Sequence, residues 1–289
     1  MDMEILITAT AKMRKIASLL FILTSFFCIT SCEKDAKVRL PEIPSRLVIV
    51  SFLSPQDTLL RVEVTQSEPL YNNAKKNKYK PVENAFVTIS SQLGSGTFVY
   101  DPVSEYYVLD SALLKIREGI VYTISVSTPD GKSASASTRI PSANTSLVFE
   151  QNPDSTLKIK WTDPAETEDY YRLFWQSSSY YLFEGYNQNG NFSDTIYTKY
   201  VTAEWYPDTE SKNGVLSSSV QFYYNFLYEP DTYIYLLHVS KEYYDYHTRL
   251  QLALNSGTNP FSEPVPMYSN INNGYGIFAG YNSYRVNAP

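Results

Sequence analysis

The chain has 289 residues and a formal net charge of −6, with 24 Lys and Arg against 30 Asp and Glu, so it lacks the basic excess that a nucleic-acid partner demands. Its two cysteines, Cys28 and Cys32, leave no disulfide framework for the rest of the chain, and any fold there must be held by its core. Tyrosine is the outlying residue type at 26, and 43% hydrophobic residues over this length suffice for two modest domains, each with a core.

Residues 1–31 read as a leader. After Arg14 and Lys15 comes IASLLFILTSFFCIT, about fifteen mostly apolar residues; a spanning helix needs roughly 20, whereas the run suits the n- and h-regions of a secretory signal. Met13 is therefore read as the true start, and Met1 to Lys12 as an upstream mis-assignment. The run closes on Ile29-Thr30-Ser31-Cys32, which resembles a bacterial lipobox: an apolar residue, two small ones, and the cysteine that receives diacylglycerol before cleavage. Cys32 is thus the expected lipidation site and membrane anchor; the alternative is an ordinary cleaved leader or a short anchor. Glu33-Lys34-Asp35 opens a tether over 32–43 and resembles the surface-export signals of Bacteroidetes lipoproteins, although any solvated linker is also charged.

From residue 44 the chain reads as β structure. Leu47 and Ile49 open a strand; Leu60, Val62 and Val64 alternate with Arg61, Glu63 and Thr65; Ala85, Val87 and Ile89 give a further strand. Tyr122, Ile124 and Val126 repeat the pattern, Pro129-Asp130-Gly131 supplies turn dihedrals, and Ala134 and Ala136 return, which predicts a hairpin. Ile140-Pro141 ends this block. Short strands punctuated by turns over 44–141 predict an immunoglobulin-like or transthyretin-like sandwich.

Residues 142–289 predict a second β-rich, sandwich-like domain. Leu157, Ile159 and Trp161 alternate, Asp163-Pro164 interrupts, and Tyr171, Leu173 and Trp175 resume, much as a fibronectin-type module opens. One short helix is expected near 241–255: Ser240 can cap it, Tyr243, His247, Leu250 and Leu254 recur at helical spacing as the packing face, and Gly257 can end it.

The closing run NPFSEPVPMYSNINNGYGIFAGYNSYRV, with PVENAFVTI, WTDPAETEDYYRLFW and SKEYYDYH in the expected order, resembles the family of Bacteroidetes lipoproteins catalogued as domain of unknown function 4249. The resemblance spans nearly all of the chain beyond the leader. It implies an outer-membrane lipoprotein, expected at the cell surface, that serves as a non-catalytic accessory to a TonB-dependent receptor in nutrient uptake by capturing or capping its substrate. Alternatives are a structural or adhesive surface lipoprotein binding a protein or glycan, and a carboxylate-dependent hydrolase. The most distinctive element, Asn270-Ile271 through Gly280, makes sense structurally: Asn273-Gly274 is a turn pair, and the glycines let backbones approach while Ile277 and Phe278 pack.

Tyrosines concentrate between Tyr170 and Tyr246. Adjacent pairs on a strand send one ring in and one out, so the residues serve either as strand formers on half-buried faces or as rigid contact area. The candidate contacts are Tyr180, Tyr181, Tyr186, Tyr223 and Tyr224, with Tyr180 to Asn191 expected as the contact loop.

Catalytic signatures are not found. His238 and His247 have no second ligand at metal spacing and read as packing residues; neither a metal nor a cofactor is expected, and the chain is not expected to be an enzyme. Ser155-Thr156-Leu157-Lys158 fits S-x-x-K but enters a strand without companion motifs. The acidic group Asp163, Glu166, Glu168 and Asp169 reads as a solvated turn rather than a calcium loop, and Lys75, Lys76, Lys78 and Lys80 as a solvated hairpin excursion. Asp57-Thr58-Leu59, Asp110-Ser111-Ala112, Asp154-Ser155-Thr156 and Asp194-Thr195-Ile196 resemble the Bacteroidetes O-glycosylation sequon, which makes Thr58, Ser111, Ser155 and Thr195 candidate glycan sites.

Overall fold

The computed structural model describes residues 44–68, 80–153, 156–164, 167–187, 190–221, 233–256, 263 and 265–288, with backbone only at 176–187, 190–202, 208 and 221. The leader, Cys32 and the tether lie outside these residues, as do Lys75, Lys76 and Lys78. The chain is mainly β, as expected, with one α-helix among the described residues.

An eight-stranded sheet organises it. From one edge to the other run β12 (Gly190–Pro207), β11 (Tyr170–Asn187), β14 (Tyr233–Val239), β15 (Tyr275–Asn287), β1 (Leu47–Leu53), β2 (Leu59–Gln66), β6 (Tyr106–Asp110) and β5 (Val99–Asp101). Two smaller sheets accompany it among the described residues: β4 (Gly94–Thr97), β3 (Phe86–Ser91), β7 (Val121–Ser127) and β8 (Ser133–Arg139) in one, and β13 (Val215–Gln221), β10 (Thr156–Thr162) and β9 (Val148–Gln151) in the other.

Period-2 alternation places the cores. Leu60, Val62 and Val64 of β2 meet Val87, Ile89, Tyr122, Ile124 and Val126 of the four-stranded sheet in a first core. Leu157, Ile159 and Trp161 of β10 meet Tyr171, Leu173, Ile234 and Leu236 of the large sheet in a second. Along β15, Phe278 joins the first core and Val286 the second, so both small sheets cover the same face of the large one. The 129–131 turn forms as expected, with Gly131 at φ 86° and its N–H donating to the Thr128 carbonyl at 3.0 Å.

Strands β1, β2, β5 and β6, before residue 141, share the large sheet with β11, β12, β14 and β15, after it. β15, from the C-terminal segment, lies parallel to β1, with Ile49 opposite Gly276 and Ser51 opposite Phe278. Residues 44–141 therefore complete their core only with a strand contributed by the last residues of the chain.

The opposite face carries α1 (Lys241–Ser256). Ser240 caps it, its Oγ accepting from the Tyr243 N–H at 3.4 Å and its carbonyl from Tyr244 at 3.1 Å. Tyr243 is buried and packs with Leu237, Val239, Ile277 and Ala279. The expected packing face holds only in the first half of the helix: Leu254 is 67% exposed, because the sheet lies beneath the N-terminal turns. Gly257 lies outside the described residues.

Candidate functional site

The longest strands build the most distinctive surface. β14 pairs with β11 only from Tyr170 to Gln176, whereas β11 and β12 stay in register from Tyr170↔Pro207 to Asn187↔Gly190. Beyond Gln176 the two strands form a ribbon roughly 35 Å long with no third strand beside it among the described residues. The expected contact loop from Tyr180 to Asn191 is thus a strand pair: Tyr180 lies opposite Tyr197, Tyr181 opposite Ile196, and Tyr186 opposite Asn191. Its Asn and Gly content suggests a loop, while its Tyr, Ser and Thr alternation sustains a ladder. Tyr223 and Tyr224 lie outside the described residues.

At the root of the ribbon, on the helix-bearing face, aromatic rings and guanidinium groups form a row. Arg172 lies opposite Trp205 across β11 and β12, its guanidinium 5.0 Å from the Trp205 ring and 5.5 Å from that of Phe174. Phe174 lies opposite Tyr235 and stacks on it at 4.5 Å with 5° between planes. Tyr235 lies opposite Arg285, which sits 4.7 Å from the ring of Tyr233. The rings and Arg172 are half-buried and Arg285 is exposed. Arg172 Nη1 donates to the Tyr243 hydroxyl at 3.2 Å, which ties the row to α1. Beside it His247 stacks on Tyr243 at 4.2 Å and lies 5.6 Å from Trp205; burial pushes its imidazole below the ordinary value, and the Arg172 charge acts the same way.

A polar cluster lies on the other face, near the second core. Asp163 and Asp169, expected in a solvated turn, are 2% and 8% exposed. His238 Nε2 meets Asp169 Oδ1 at 2.8 Å, its Nδ1 meets the Ser142 carbonyl at 2.9 Å, and its ring stacks on Tyr171 at 4.8 Å. Both ring nitrogens face acceptors, so the imidazole is held from both sides. Burial raises the Asp169 carboxyl, but hydrogen bonds from His238 and Thr167 outweigh it and leave the group below the ordinary value. Burial pushes the Tyr171 hydroxyl strongly up, with the Asp169 and Asp163 charges adding to it and an Asn144 hydrogen bond opposing.

Two grooves flank this cluster. One of about 400 Å³ is lined by Arg139, Ser142, Glu168, Asp169, Lys241 and Glu242, the other, of about 230 Å³, by Asn144, Ser146, Tyr171 and His238. The Asp169 oxygens are engaged by His238 and Thr167, and Glu168 by the Tyr170 hydroxyl. The cluster therefore ties the 142–146 connection and the start of β11 to β14. Among the described residues no group of three His, Cys, Asp or Glu is placed to hold a metal ion, and no helix is long and apolar enough to cross a membrane.

Two candidate glycan sites come together. Leu59 pairs with Asp110, and the Ser111 N–H donates to the Thr58 carbonyl at 3.1 Å, with Thr58 exposed and Ser111 half-buried. Ser155 lies outside the described residues, and Thr195 is placed only by its register opposite Leu182. Sequence reasoning misses Arg172, Trp205 and Arg285. The alternation Tyr170, Arg172, Phe174 puts the arginine on one face with aromatics, but its partners come from strands more than thirty residues away.

Two cores side by side on one face of a shared sheet, with half-buried aromatics on its helix-bearing face, define a β-sandwich scaffold. The chain belongs to the DUF4249 family, a domain of unknown function, whose model matches residues 33–286. No curated protein matches it. Solved structures to which it is similar include a two fibronectin type-III domain segment from chicken tenascin, at 15% identity over 67% of this chain and 88% of that one, with a TM-score of 0.20. Fibronectin domains 1–3 of chicken CNTN1 match at 10% identity over 69% of this chain and 60% of that one, TM-score 0.25. A 1.5-MDa bacterial ice-binding adhesin, from a structure concerned with host cell surface retention, matches at 7% identity over 86% and 65%, TM-score 0.20.

Proposed function

We propose that this is a lipid-anchored Bacteroidetes outer-membrane protein, exposed at the cell surface, that acts without catalysis as an accessory to a TonB-dependent receptor and captures or caps its substrate. The observation that carries this reading is the β11–β12 ribbon, a tyrosine-rich strand pair that continues past the last flanking strand at Gln176. Among the described residues no third strand lies beside this ribbon, so it can take a partner's strand, and a tyrosine-rich sequence suits contact without a titratable constellation. The lipobox-like Ile29-Thr30-Ser31-Cys32 supports the anchor, and the family resemblance supplies the receptor.

The test is a mild-detergent pull-down from native outer membrane through a C-terminal tag, compared with Cys32→Ala and with a variant whose ribbon is cut back to Gln176 and Val201. A stoichiometric TonB-dependent receptor, depleted in both variants, is the expected result. Lipidated protein on the cell surface with no barrel partner would move the function to adhesion.

A further inference from the structure

We propose that the row formed by Trp205, Arg172, Phe174, Tyr235, Tyr233 and Arg285 is a docking surface for an extended, carboxylate-rich segment of another protein. Trp, Tyr and Arg are the residues that concentrate binding energy at protein interfaces, and here they sit side by side on four adjacent strands. The surface is set in advance: Phe174 and Tyr235 fix each other by stacking, and each guanidinium is held against a ring.

Its charge selects the partner. Neither Arg172 nor Arg285 makes an ion pair among the described residues, although acidic groups outnumber basic ones in the chain, 30 to 24. Arg172 Nε is shielded from solvent and has no hydrogen-bond partner among these residues. Because Phe174 and Tyr235 turn their faces to each other, they present ring edges outward, and ring edges carry the positive end of the quadrupole. Guanidinium groups and ring edges together favour an anion.

The spacing fits a strand. Arg172 and Arg285 stand two strands and two residues apart, roughly 12 Å between backbones, while acidic side chains at i and i+4 of an extended peptide are roughly 13 Å apart on one face. This surface is distinct from the ribbon beyond Gln176, so the inference does not rest on the receptor assignment.

Fluorescence anisotropy with the full chain in detergent tests it, using a labelled decapeptide of alternating Glu and Thr and its Gln/Thr twin as probes. The net negative chain repels an acidic peptide in general, so binding must come from a local surface. The Glu peptide is expected to bind at least tenfold more tightly than the Gln peptide. Arg285→Glu, at an exposed position, is expected to cut affinity at least tenfold with an unchanged melting temperature, and Arg285→Lys to retain most of it. Equal affinity for the two peptides, no binding, or indifference to Arg285→Glu would overturn the proposal. Polygalacturonate binding through Arg285 where the Glu peptide fails would overturn it as well, and assign the face to acidic glycans.

Discussion

The side-chain amide of Asn270 pairs with the backbone of Phe278 in both directions, Nδ2 donating to the Phe278 carbonyl at 2.7 Å and Oδ1 accepting from its N–H at 3.0 Å. It stands in for a missing strand. β14 leaves the β15 ladder after Val239↔Tyr281, Ser240 follows with its N–H on the Gly280 carbonyl at 2.9 Å, and Asn270 serves the next peptide group on that edge of β15, that of Phe278. Asn270→Ala orphans a donor and an acceptor and is expected to cost about 2–3 kcal/mol. Asn270→Asp keeps the acceptor but sets a carboxylate against the Phe278 carbonyl, so it should be no better. Urea midpoints for the two variants check this; an aspartate variant as stable as the native chain would refute the strand-substitute role.

The parallel β1–β15 pairing depends on Gly276. Its φ of 107° suits glycine, and a Cβ there would fall 2.0 Å from the Ile49 carbonyl oxygen, on backbone that cannot give way. Gly276→Ala should therefore displace β15 and take Phe278 out of the first core, at a cost of about 3 kcal/mol or more. Gly119→Ala isolates the dihedral term, since φ there is 74° with nothing within 4 Å of the new Cβ, and it should cost only about 1 kcal/mol. Thermal melts of both variants decide it; equal losses would mean that close approach contributes nothing.

These two residues also show what a sequence can disclose. Alternation is local, so it alone places Leu60, Val62 and Val64, Tyr122, Ile124 and Val126, and Leu157, Ile159 and Trp161 in cores, and all nine are buried. The glycines at 274–280 are legible as sites of close approach, but not which backbone approaches: the partner of Gly276 is Ile49, at the other end of the described chain. Asp169 reads as solvated because charge in a turn normally is, whereas its partner His238 lies 69 residues away. The Tyr180–Asn191 ribbon escapes a sequence reading for another reason: Asn and Gly mark loops, but a ladder already running from Tyr170 extends cooperatively past weak residues.

His247 makes the packing of α1 sensitive to acid. Burial holds its pKa below the ordinary 6.5, so the unfolded chain takes up the proton first as pH falls. Its contribution to stability is complete above pH 6.5 and is lost as pH falls through the folded value. Asp169, also depressed, gives its own loss only below its ordinary value of 3.8. His247→Phe keeps a ring against Tyr243 and removes the titration. Unfolding free energy measured from pH 7.5 down to about 5 should fall less in the variant than in the native chain; parallel curves would place the titration elsewhere.

The tyrosines set an alkaline limit. Burial raises Tyr171, Tyr206 and Tyr281 well above the ordinary value of 10.0, and the charges of Asp169, Glu204 and Asp57 add to the shift at each in turn. For these acids the neutral form is the folded one, so their contribution is fully present below pH 10 and is lost as pH rises beyond it, where the unfolded chain releases protons that the fold retains. Tyr281→Phe preserves the ring that packs 5.7 Å from Tyr243 and removes one such group. Its stability should therefore fall less steeply than that of the native chain from pH 9 to about 11. Absorbance at 295 nm should show these phenols ionising together with unfolding and not before it; titration of all 26 tyrosines with the fold intact would contradict their burial.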